Sequence, residues 1–161
     1  MATGNLHDDQ WDIEYFEGAV RIRRLAGALG GALLGGSVYE LAPGAVGVPY
    51  HLHHANEEML VVVSGTPTMR NPDGETELRP GDVALFPRGA AGAHQVFNRS
   101  AEPCRYFIVS TMNHPEIGEF PDTGKVGVWA GKATGAAGEF TLSRVLRGDA
   151  EMGFWEDEPK P

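Results

Sequence analysis

The chain has 161 residues, enough for one domain with its own core and no disulfide framework. With 13 Lys+Arg against 22 Asp+Glu, its formal net charge is −9, which argues against nucleic acid or an anionic membrane as partner. The single cysteine, Cys104, excludes an intramolecular disulfide and a four-cysteine zinc site, and fits a reducing, cytoplasmic setting.

The 22 glycines and 11 prolines predict short elements and many turns, hence an all-β fold. Residues 1–19 read as a loose, acidic N-terminal arm. Its acidic residues before Arg23-Arg24 are the wrong charge for an export signal. Val20–Arg24 alternates as a short strand. The uncharged stretch Leu25–Gly36 is too short for a membrane span, which needs about 20 apolar residues. Leu33–Leu41 reads as a strand. Met59–Ser64 is a valine-rich apolar run, predicted as a strand buried on both faces. Asn71-Pro72-Asp73-Gly74 is a turn signal between Thr66–Arg70 and Glu75–Leu78, predicting a hairpin. Arg79-Pro80-Gly81-Asp82 turns the chain into Val83–Phe86. Strands follow at Gln95–Asn98 and Arg105–Thr111. Beyond Met112 the chain reads as Gly/Pro-rich and irregular, with Thr141–Leu146 a last strand or short helix and a frayed acidic tail. The expected organisation is an arm over 1–19, a β-barrel core over 20–112, and an extension over 113–161 that packs on the barrel.

The chemistry concentrates in His51-Leu52-His53. Alternation along a strand sends His51 and His53 to one face. Alone, such a pair is more often a surface feature than a metal site. A third histidine, His94, and a nearby carboxylate strengthen the metal reading. Three imidazoles and one carboxylate leave two open positions in octahedral geometry, an environment for Zn, Fe, Mn, Ni or Co. Glu57 and Glu58 face opposite ways on a strand, so only one of them can share the histidines' face. His54 falls on the wrong face, and His7 and His114 read as solvent-exposed. Asn98 near a turn is expected to cap backbone groups. Tyr50, Tyr106 and Lys125 are candidate substrate contacts. No further residue declares itself as catalytic.

These residues resemble the cupin superfamily. Its first motif matches His51-x-His53, four residues, Glu58, six residues, Gly65, and its second matches Gly81, five residues, Pro87-x-Gly89, then His94, three residues, Asn98. The gap from Gly89 to His94 is longer than the motif's. Pro49–Met59, Ala93-His-Gln95, Ser110–Asn113 and Phe120–Lys125 resemble small single-domain bacterial cupins, some of which carry a provisional sugar phosphate isomerase label. The resemblance implies a double-stranded β-helix, or jelly-roll, barrel with one divalent metal on His51, His53, Glu58 and His94, and a homodimer. Two functional classes stay open. One is a metal-dependent enzyme on a small polar metabolite, by isomerisation of a sugar or sugar phosphate or by O2-dependent oxidation. The other is a non-catalytic cupin that binds a small molecule or metal.

Overall fold

The computed structural model describes residues 2–131, 140–153 and 156. Its strands are β1 (Ile13–Tyr15), β2 (Val20–Arg23), β3 (Leu34–Leu41), β4 (Leu52–His53), β5 (Glu58–Ser64), β6 (Thr68–Asn71), β7 (Gly74–Glu77), β8 (Val83–Phe86), β9 (Gln95–Phe97), β10 (Cys104–Thr111), β11 (Glu116–Phe120), β12 (Lys125–Gly131) and β13 (Phe140–Arg147). One helical turn, α1 (Leu25–Ala28), follows β2. The strands form a six-stranded sheet in the order β1-β2-β3-β10-β5-β8, a four-stranded sheet β13-β12-β11-β4 and a three-stranded sheet β7-β6-β9. All pairings are antiparallel. This is the all-β jelly roll that the sequence predicts.

Alternation along β5 builds the core. Leu60 and Val62 are buried among Leu41, Phe86, Val96 and Tyr106, and Glu58 shares their parity. Met59 faces outward at 38% exposure, so β5 is buried on one face and not, as predicted, on both. The hairpin β6–β7 closes on Pro72-Asp73, with Asn71 opposite Gly74 and the Asp73 N–H donating to Asn71 Oδ1 at 3.0 Å. At Gly65 the chain leaves β5 with φ +71°, and a Cβ there would lie 2.6 Å from the Pro103 carbonyl oxygen. That position needs glycine both for its backbone angle and for space.

The segment after Met112 is not irregular. β11 pairs with β4, with Gly118 opposite His53, and β12 and β13 extend that sheet. Gly118 and Gly127 are strand residues here: a Cβ on either would run into the Trp129 ring, at 3.0 Å for Gly118 and 2.0 Å for Gly127. These glycines leave room for an indole, whereas in sequence they imitate loop punctuation. Thr141–Leu146 lies within β13, which settles strand over helix. The expected frayed tail falls largely on residues outside those described.

The N-terminal arm is fastened, not loose. Buried Arg105 reaches Asp9 Oδ1 at 2.7 Å and the Leu6 carbonyl at 3.2 Å, and its guanidinium lies 4.9 Å from the Trp11 ring centre. Arg23 adds Asp8 at 3.0 Å, and β1 pairs with β2.

Candidate metal centre

The site is assembled from three segments. His51 and His94 form an isolated antiparallel bridge, with N–H to O distances of 3.1 and 2.8 Å, so backbone pairing sets their imidazoles side by side. Their ring centres are 4.5 Å apart. His53, two residues beyond His51, presents its ring edge to His51 at 5.0 Å. Glu58, the first residue of β5, points inward, while Glu57 is exposed. One Glu58 oxygen, Oε2, lies 3.4 Å from His53 Nε2 and 3.2 Å from His94 Nε2. His51, His53 and Glu58 each offer a ligand atom within 4.8 Å of the others, a grouping that can hold a metal ion.

The outer nitrogens of two rings are already committed. Nδ1 of His51 lies 2.8 Å from the Pro49 carbonyl, and Nδ1 of His94 lies 2.9 Å from the Gly92 carbonyl. A carbonyl only accepts, so each Nδ1 carries the proton and each Nε2 is left with its lone pair directed inward. His94 is 1% exposed, is stacked on Phe86 at 3.7 Å, and its Nε2 is a buried atom with no hydrogen-bond partner. A buried nitrogen lone pair without a partner is costly unless a cation or proton meets it. The donor set therefore fits a divalent metal.

His53 differs from the other two. Its Nδ1 is also buried without a hydrogen bond and faces Glu116 Oε1 at 3.7 Å. Glu116 is itself buried and held by the backbone N–H groups of His54 and Ala55, at 3.1 and 3.4 Å, and by the Asn56 side-chain amide. Asn56 in turn accepts from the Asn113 N–H at 2.6 Å and from Thr111 Oγ1 at 3.1 Å. Sequence reading missed Glu116 and Asn56. Only the β4–β11 pairing brings residue 116 beneath His53.

The electrostatics follow from this packing. Burial, reinforced by His94 and His53, lowers His51 to about 3, so its ring is neutral at physiological pH. Burial acts against a proton on His53, but Glu116 and Glu58 outweigh it and raise this ring to about 10. Burial would raise Glu58; the facing His53 ring leads the opposing effect, which holds its carboxyl well below the usual range.

The cluster opens into a cavity of about 290 Å³. Tyr106 lines it, stacked on Tyr39 with ring centres 5.1 Å apart, and burial pushes both hydroxyls up. Tyr50 and Lys125 do not line it. Tyr50 alternates away from His51 into a small cluster with Leu52 and Ala93, under the Arg70 guanidinium at 3.9 Å. Lys125 lines a separate groove. Arg70 makes a two-pronged, exposed contact with Asp122 at 2.7 and 2.9 Å. His54 meets Glu119 at 2.6 Å outside the site. His114 is exposed, as expected, yet forms part of the cavity wall. Asn98 does cap backbone, donating to the Leu41 and Glu102 carbonyls at 3.0 and 2.8 Å.

Residues 37–110 match the family model described as "Cupin domain". Among solved structures, the chain is similar to a sugar phosphate isomerase from a cupin superfamily of Silicibacter pomeroyi, at 26% identity over 82% of this chain and 78% of that one, with TM-score 0.73. A protein of Acidithiobacillus ferrooxidans, provisionally described as a sugar phosphate isomerase, shares the fold at 24% identity, over 86% and 83% of the two chains, with TM-score 0.70. The polyketide cyclase RemF of Streptomyces resistomycificus shares it at 21% identity, over 68% and 80%, with TM-score 0.56. The search of curated proteins finds no match.

Proposed function

We propose that this chain, whose residues 37–110 match the cupin-domain model, is a metal-dependent isomerase of a small hydroxycarbonyl metabolite, with one divalent ion held by His51, His53, Glu58 and His94. The observation that carries the reading is the convergence of two imidazole nitrogens on Glu58 Oε2, at 3.4 and 3.2 Å, where the cluster opens into the cavity. A bound divalent ion would supply Lewis acidity, polarising a carbonyl or hydroxyl oxygen. The chain's own residues do the rest. Tyr106, Ile108 and Phe120 enclose the ligand and exclude water. We assign the movement of a proton between neighbouring carbons to His114, which lines the cavity and is open to solvent.

The likeness to the Silicibacter protein supports an isomerase over a passive binder. We take residues 20–112 as the barrel proper and the chain from 113 as an extension whose strands β11 and β12 wall the cavity. We also infer a cytoplasmic homodimer. The buried thiol of Cys104 suits a reducing compartment. Met59, Val83 and Leu85 expose apolar surface on the outer side of β5 and edge strand β8, a face that a second copy would cover.

The test is turnover. Metal-loaded protein incubated in D2O with a panel of hydroxyaldehydes and hydroxyketones should incorporate deuterium at the carbon beside the carbonyl. His114→Gln should slow this by about 10²-fold or more while leaving metal content unchanged. A compound that binds, stabilises the protein and is never exchanged or converted would favour the non-catalytic cupin instead.

A further inference from the structure

Resting on that reading of the cluster, we propose that its ligand is an uncharged hydroxycarbonyl compound carrying a hydrophobic ring, and not a phosphorylated sugar. Among the described residues lining the cavity there is no lysine or arginine. The acidic side chains there are Glu58 and Glu116. Together they match the charge of a divalent ion, which leaves no net positive charge to hold a phosphate dianion in a low-dielectric space.

Several arginines are engaged elsewhere. Arg23 pairs with Asp8 at 3.0 Å, Arg70 with Asp122 at 2.7 Å, Arg99 with Glu75 at 2.6 Å and Arg105 with Glu40 at 2.5 Å. Lys125 and Arg147 face each other across β12 and β13, but they line the separate groove together with Glu119 and Asp149. Phe120 lines both spaces.

The walls call for a ring. Tyr39, Val96, Tyr106, Ile108, Phe120 and Trp129 present aromatic and aliphatic surface. The Trp129 ring is held over Gly118 and Gly127, a broad flat surface for another ring to meet. About 290 Å³ is at the small end of ligand sites and suits one ring with a short oxygenated arm turned towards Glu58 and the histidines.

Two probes share the hydroxyketone and differ in the rest: 2-hydroxyacetophenone carries a phenyl ring, and dihydroxyacetone phosphate carries a phosphate. Calorimetric titration of each into manganese-loaded full-length protein should show the phenyl probe binding at least about tenfold more tightly, a difference of about 1.4 kcal/mol. Met112→Trp, which narrows the cavity from the connection after β10, should weaken the phenyl probe by a similar factor. Tighter or equal binding of the phosphate probe overturns the proposal, as does no binding of the phenyl probe or an affinity unchanged by Met112→Trp. Metal content is measured on the same samples. If no metal is taken up, the isomerase reading fails, while the order of the two probes on metal-free protein still decides the ligand class.

Discussion

Replacing His51 and His53 together with alanine is expected to abolish metal retention, leaving less than about a tenth of an equivalent per chain after exposure to Mn, Fe, Ni or Zn salts. Two of the four proposed ligands disappear, and His94 with Glu58 alone makes an incomplete set. The consequence for stability depends on the ion. Without metal, the variant should be less stable than the wild type: losing His51 costs little, because burial already disfavours its charged form, but losing His53 leaves the carboxylates of Glu58 and Glu116 without the ring that faces them. With metal at about a hundred times its Kd, the wild type gains about 2.7 kcal/mol. For a domain of this size that corresponds to a rise in Tm of about 5–10 °C. The variant should show no such rise. A metal-dependent shift that persisted in the double variant would mean that the ion binds elsewhere.

Glu116 carries the second large effect. Its carboxylate accepts from the His54 and Ala55 N–H groups and from Asn56, and it faces the unpartnered Nδ1 of His53 at 3.7 Å. The Pro49 and Gly92 carbonyls fix the other two rings. His53 relies instead on a side chain from β11, outside the matched cupin residues 37–110. Glu116→Ala leaves buried donors without acceptors and should cost about 1–3 kcal/mol in denaturant unfolding. It should also weaken metal binding by about 10–100-fold in chelator competition, since the ring loses the group that orients it. Glu116→Gln keeps an oxygen acceptor and should recover most of the stability but only part of the affinity. Equal metal affinity in all three proteins would show that Glu116 serves folding alone. A changed visible spectrum in the Co(II)-loaded Gln variant would point to His53 as the ring affected.

Local spacing made the inner cluster legible. Alternation places His51 with His53, the six-residue spacing to Gly65 in the cupin motif chooses Glu58 over Glu57, and a turn residue at Asn98 finds backbone carbonyls to cap. Tyr50 could have been set aside by the same parity, since it neighbours His51. What stayed hidden depends on distant chain pairing or on glycines with an unusual role. Glu116 and Asn56 meet only because β11 lies against β4. β11 and β12 read as loops because Gly118 and Gly127 give way to Trp129, a contact with no periodic signature. The fastened arm depends on Arg105, 96 residues from Asp9, and charge composition alone does not reveal such a partner.

The central claim is that His51, His53, Glu58 and His94 hold one divalent ion at the base of the cavity. X-ray absorption at the metal edge, on full-length protein loaded and then freed of excess salt, tests it most directly. The expected result is one ion per chain with imidazole scattering from three rings and an oxygen donor beside them. Less than about a tenth of an ion per chain after loading, or a bound ion without imidazole scattering, would contradict it.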